Sequence, residues 1–159
     1  MRWIGNFEVK CFNNGQLKWD DAFHNALVDG GEQNILDTYL RNSNAPTNFY
    51  IGLTNMAGLV ESTPLSSLTD EPTGNGYGRI QVTRNNTGWP SLALDAGDYM
   101  ATSRVVTFEA TGTWITVDKI FMATSNDNTG VLISYGALSV PRTLIINDIL
   151  DITYKIKLQ

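Results

Sequence analysis

Apolar and polar residues alternate along most of this chain, and the alternation predicts strands. In "FEVKCF", Phe7, Val9 and Cys11 alternate with Glu8, Lys10 and Phe12, the period of two of a half-buried strand. "NNGQ" follows, and Asn14-Gly15 suits a tight hairpin turn because both residues accept positive φ. "QLKWD" then returns with Leu17 and Trp19 on one face. At the other end, Ile152, Tyr154, Ile156 and Leu158 face one way and Thr153, Lys155 and Lys157 the other. "FYIGL", "YGRIQVT", "SRVVTFEA", "TWITVDKIFMA" and "GVLISYGALSV" supply further strands. The period changes once. In "GGEQNILDTYLRNSN", Ile35, Leu36, Tyr39 and Leu40 form one apolar stripe, which predicts a helix over 32–41 with its stripe on the core. Asn42 and Asn44 stop it before Pro46.

Two stretches escape both periods. Residues 55–75 read as a long polar loop with Pro64 and Pro72, and 84–103 as a second irregular segment around Trp89. The expected architecture is mainly β, an antiparallel β-sandwich or jelly-roll-like fold in one domain over 1–159. It comprises a hairpin region (1–28), the helix (32–41) and the main strands (49–159).

Composition supports that picture. Charged residues make up 17%, below the usual ~25%, and 15 Asn and 17 Thr fill the gap with turn formers and pleated-surface residues. The net charge of −5 and the scattered basic residues disfavour nucleic acid as a ligand. There is no apolar run long enough to span a membrane, and "MRWIGNFEVKCF" lacks a signal-peptide core, so assembly in a cytoplasm is expected. A lone cysteine excludes an internal disulfide, and Cys11 shares a face with Phe7 and Val9, so it reads as a buried, inert thiol.

Candidate chemistry is sparse. His24 is the single histidine and no G-x-S-x-G motif accompanies it. Adjacent Asp20 and Asp21 point to opposite faces of a strand, and Asp95, Asp98 and Glu109 meet only if tertiary structure brings them together. "SNDNTG", Ser125 to Gly130, has the flavour of a calcium loop with too few carboxylates, and reads as a hairpin connection. Asn85-Asn86-Thr87 matches a glycosylation sequon, relevant only in a secretory pathway. "GNGYGRIQVTRN" carries Gly74, Gly76 and Gly78, yet a loop precedes and a strand follows, where a dinucleotide fingerprint needs strand then helix. No enzyme, metal or cofactor is expected. Trp19 and Trp114 fit core positions, while Trp89, before Pro90 in a loop, is a candidate contact residue.

The order of several segments resembles structural proteins of tailed bacteriophages. "FYIGL", then "GNGYGRIQV", then "VLISYGALSVPRTLIINDILDITYKIKL" is similar to their pattern of an aromatic-aliphatic strand, a Gly-rich segment and a closing "G-x-L…P…GD-x-L" with an alternating strand. The opening "WIGNFEVKCFNNGQLKWDDAFHNALVDGGEQNILDTYL" is also similar to small virion proteins encoded near the capsid gene. One departure is Asn147 where the pattern has Gly, and Asn still permits positive φ. The resemblance implies a non-enzymatic virion protein that decorates or cements the capsid by bridging major capsid protein subunits, as a dimer or trimer. The alternative is a tail- or fibre-associated receptor- or glycan-binding module. On the first reading Leu59, Val60, Leu65 and Leu68 belong to arms buried on assembly; on the second, Trp89 and Tyr99 are the contact residues.

Overall fold

The computed structural model describes residues 3–158. Ten strands form one antiparallel sheet, curled so that its halves face each other across the core in sandwich fashion. In chain order these are β1 (Trp3–Asn13), β2 (Gln16–Leu27), β3 (Asn48–Thr54), β4 (Ile80–Thr83), β5 (Ser91–Asp95), β6 (Asp98–Thr102), β7 (Val106–Glu109), β8 (Val117–Ala123), β9 (Leu132–Arg142) and β10 (Asp148–Leu158). The spatial order is β4-β3-β8-β9-β2-β1-β10-β6-β5, with β7 also paired to β10. A single helix, α1 (Asp29–Leu40), follows β2.

The opening hairpin forms as its pattern requires. Asn14 and Gly15 turn with φ of 48° and 77°, and β1 buries Phe7, Val9 and Cys11. A bulge at Cys11/Phe12 shifts the register, so Trp19 lies opposite Cys11 and is partly buried, while Leu17 is exposed. The centre of the sheet is β1 against β10, in register from Trp3↔Leu158 to Asn13↔Asp148. Phe7 and Tyr154 stack there with ring centroids 4.3 Å apart. Along its other side β10 pairs first with β7 and then with β6, and Ser103 bridges the change by bonding Tyr154 through backbone and hydroxyl.

Both long irregular segments differ from expectation. Residues 55–75 fold inward: Leu59, Leu65 and Leu68 are buried with Val28, Phe121, Ala123 and Leu132 in a second core cluster, helped by a 3-10 turn at Leu65–Ser67. Thr54 and Asn55 fasten the segment by donating to the Thr69 and Asp70 carbonyls. These leucines lack periodicity because a loop, folded back on the sheet, presents them singly. Residues 84–103 contain the β5–β6 hairpin, in which Leu92 and Leu94 lie opposite Ala101 and Tyr99. The alternation is there in "SLALDAGDYM", interrupted by the turn at Ala96-Gly97.

That turn carries a strained residue. Ala96 sits at φ 51° and Gly97 at 95°, and the left-handed region costs an alanine about 1–2 kcal/mol. Ala96→Asn, which tolerates this region, is expected to stabilise the protein by about 0.5–1 kcal/mol and raise Tm by about 1–4 °C in a circular-dichroism melt. An unchanged or lower Tm would show that the turn relaxes at no cost.

The glycine-rich segment is a structural turn. Gly76 has φ 84°, and a Cβ there would lie 2.6 Å from the Glu109 carbonyl oxygen, so only glycine permits this approach. Its neighbour Asn75 accepts bonds at its carbonyl from the Thr111 amide and the Trp114 indole. Tyr77 then stacks on Phe108, and Arg104 bonds the Gln81 carbonyl, which brings the β4 side of the curl against β7. Asn147 adopts φ 67° before β10, as expected of asparagine there.

Candidate binding surface

The helix α1 is inverted. Its buried face is Gly31, Asn34 and Asp37, and its apolar stripe looks outward: Tyr39 is 85% exposed and Leu36 and Leu40 are exposed beside it. The polar face is buried because it has partners. Asn34 donates to the Asn44 carbonyl at 2.9 Å, and Asp37 accepts from Arg41 at 2.8 Å and from Asn44 at 3.1 Å. Together they tie down the chain after the helix, where Asn42 and Asn44 both take positive φ. The expected orientation of Ile35, Leu36, Tyr39 and Leu40 toward the core is thus overturned; of the four, Ile35 is half-buried and the rest face outward.

Gly31 allows the close docking. A Cβ at this position would lie 2.2 Å from the Ile133 carbonyl oxygen on β9. Gly31→Ala therefore sets about 1 kcal/mol of gained helix propensity against a main-chain clash costing about 1–3 kcal/mol. A net loss of stability is expected in urea unfolding; a net gain would mean that the helix moves off the sheet freely.

Between α1 and the β5–β6 hairpin lies a cavity of about 370 Å³. Its walls are Ile35 and Tyr39 from the helix, Phe49 from β3, Trp89, and Leu92 and Tyr99 from the hairpin. Met122, Ile133, Ile156 and Leu158 also line it. The β10 stripe thus runs from the buried Ile152 and Tyr154 outward to Leu158 at this cavity. Trp89 is half-buried and meets Phe49 edge-on with centroids 6.1 Å apart, so it closes one wall. The lining is overwhelmingly apolar, and such a site takes apolar groups.

The candidate contact residues therefore divide. Trp89 and Tyr99 come together on this cavity, Tyr99 exposed and Trp89 within the wall. Leu59, Leu65 and Leu68 do not reach the surface; their packing is intramolecular, and the expectation that they form free arms is corrected on that ground. Val60 is exposed elsewhere, near Asp29, Glu61 and Tyr135. Tyr39, Leu92 and Leu94 are not legible as surface residues in the sequence: the helical stripe reads as core-facing, and residues 84–103 read as irregular.

The titratable groups stay apart. His24 lies opposite Asn6 and Cys11 opposite Trp19, far along the same hairpin. Asp95 and Asp98 pair with Lys157 at one end of β10, while Glu109 lies opposite Ile149 at the other. Burial pushes the Cys11 thiol up to about 11 and the Tyr154 phenol to about 12, so both stay protonated and unreactive at neutral pH. Asp127, in the hairpin connection after β8, accepts bonds from the Thr129 hydroxyl and amide, which hold its carboxyl below the usual range. Among the described residues, no three His, Cys, Asp or Glu side chains converge as metal ligands would, and no helix is long and apolar enough to cross a membrane.

A family model described as Podophage GP4 fiber I protein gp80 matches residues 26–156. No curated protein matches the chain.

Proposed function

This chain belongs to the family of Podophage GP4 fiber I protein gp80 and is a tailed-phage virion structural protein; from that premise we propose that it serves as a module of a virion fibre, acting by binding and not by catalysis. The observation that carries the reading is the extent of the match, which runs from the end of β2 through nearly all of β10. The molecule's chemistry supports it. Its apolar cavity and outward helical stripe suit contact with protein, while its thiol and the Tyr154 phenol are buried and protonated.

Capsid decoration, the other role implied by the resemblance, drew on residues 55–75 and 84–103 as arms buried on assembly; Leu59, Leu65 and Leu68 of the first are engaged in the chain's own core, and the second holds the β5–β6 hairpin. The fibre reading is tested by locating the protein on purified particles with antibody-gold labelling and by counting its copies against the major capsid protein. Label on appendages, with copies far below one per capsid subunit, is the expected result. Label spread over the shell at near-equal stoichiometry would overturn the fibre reading and restore decoration.

A further inference from the structure

We infer that the face formed by the outward stripe of α1, the mouth of the cavity and the β5–β6 hairpin is the contact between copies of this chain. Three independent features converge on it. The helix buries hydrogen-bonded polar residues and turns Leu36, Tyr39 and Leu40 outward. The strand β5 ends the sheet with every residue exposed, and it carries Leu92, at 70% exposure, and Leu94 with no lysine or proline inside it to discourage pairing. The cavity joins the two, since Tyr39 of the helix and Leu92 and Tyr99 of the hairpin line the same space.

The size of the face fits a second copy. Its six projecting side chains (Leu36, Tyr39, Leu40, Leu92, Leu94 and Tyr99) each expose more than half of a surface on the order of 200 Å². Together they present roughly 800 Å², which is what each partner of a stable complex covers. The face is also self-complementary in kind. It carries a concavity and, around it, the large apolar side chains that such a concavity accepts, so one patch supplies both halves of a symmetric contact. The hairpin carboxylates Asp95 and Asp98 turn to Lys157 on the opposite face, which leaves this face largely apolar. With −5 on each copy, long-range repulsion opposes association, so contact depends on the apolar patch and tightens as salt screens that repulsion.

The test is sedimentation velocity on the full chain over a concentration series, at low and high salt. The wild type is expected to self-associate, more tightly at high salt. Tyr39→Ser and Leu92→Lys are each expected to weaken association by about thirty-fold or more, the effect of removing a central apolar anchor. Both positions are exposed, so circular dichroism and Tm should match the wild type. Leu17→Ser, which removes an exposed leucine outside the face, should associate as the wild type does. A wild type that stays monomeric at every soluble concentration overturns the inference, even if it binds another virion protein. So do folded Tyr39 and Leu92 variants that associate normally, or Leu17→Ser dispersing the assembly equally.

Discussion

Arg79→Ala is expected to destabilise the protein by about 3–5 kcal/mol, a large share of the 5–15 kcal/mol that holds a typical domain together. The Arg79 side chain is 3% exposed and forms an ion pair with Glu71. Its Nε donates to Glu71 Oε2 at 3.0 Å, and its other nitrogens donate to the Ser125 and Asp127 carbonyls and the Asn128 side chain. The guanidinium also lies 5.0 Å from the Phe121 ring centre. One side chain therefore clamps three segments: the end of the 55–75 loop, the entry to β4 and the hairpin connection after β8. Alanine would leave the Glu71 carboxylate largely buried, with the Tyr77 hydroxyl as its remaining neighbour. Arg79→Lys should recover only part of the loss, because an ammonium cannot serve a planar fork of acceptors. Glu71→Ala combined with Arg79→Ala should cost less than the two single losses added, since each single variant strands a buried partner. Urea unfolding with an unchanged m-value measures all of these; a loss below about 1 kcal/mol for Arg79→Ala would show that water replaces the network.

Asp148 gives the second large effect, and it depends on pH. Burial by itself would raise this carboxyl, but the Lys18 ammonium at 2.8 Å, the Ile145 amide at 2.9 Å and the Asn13 side chain at 2.8 Å hold it below the usual range. The folded state thus binds the proton less readily than the unfolded chain. The resulting stabilisation is present above the unfolded carboxylate's value, about 4, and is lost as pH falls through the lower folded value. Asp148→Asn should therefore cost about 2–3 kcal/mol at pH 7 and progressively less as the solution is acidified. The cost stays at the low end because Lys18 is about a third exposed and regains water when its partner is neutral. Parallel stability curves for wild type and variant from pH 7 to pH 2 would contradict this account.

Much of this fold was legible wherever a local rule and the tertiary environment agree. Asn14-Gly15 makes the hairpin, the alternation in β10 buries Ile152 and Tyr154, and the Gly74–Gly78 segment is a turn into a strand. The misreadings occur where the two part. An apolar stripe on a helix predicts a core face only if the opposite face has no better use inside; here Asn34 and Asp37 find partners on Asn44 and Arg41 across a loop that no periodicity reveals. The leucines of 55–75 looked unpartnered because their neighbours, Val28, Phe121 and Leu132, are remote in sequence. Of the candidate surface, Trp89 and Tyr99 were anticipated as contact residues. Tyr39 and Leu92 were not, since their exposure follows from the helix orientation and the sheet edge.

The position of β10 has a kinetic consequence. It pairs with β1 across the whole length of the domain and also supplies the edge on which β6 and β7 form, so the middle of the sheet is completed by its last strand. During synthesis, β1 and β2 emerge early as a hairpin whose far edge stays open until β10 leaves the ribosome. Closing so long a loop before the pairing repays it is entropically costly, and folding on the slow scale of all-β proteins, milliseconds to seconds, follows. The strands from β1 through β2 and β9 to β4 can pair among themselves beforehand, whereas β6 and β7 have no edge to dock on until β10 is made.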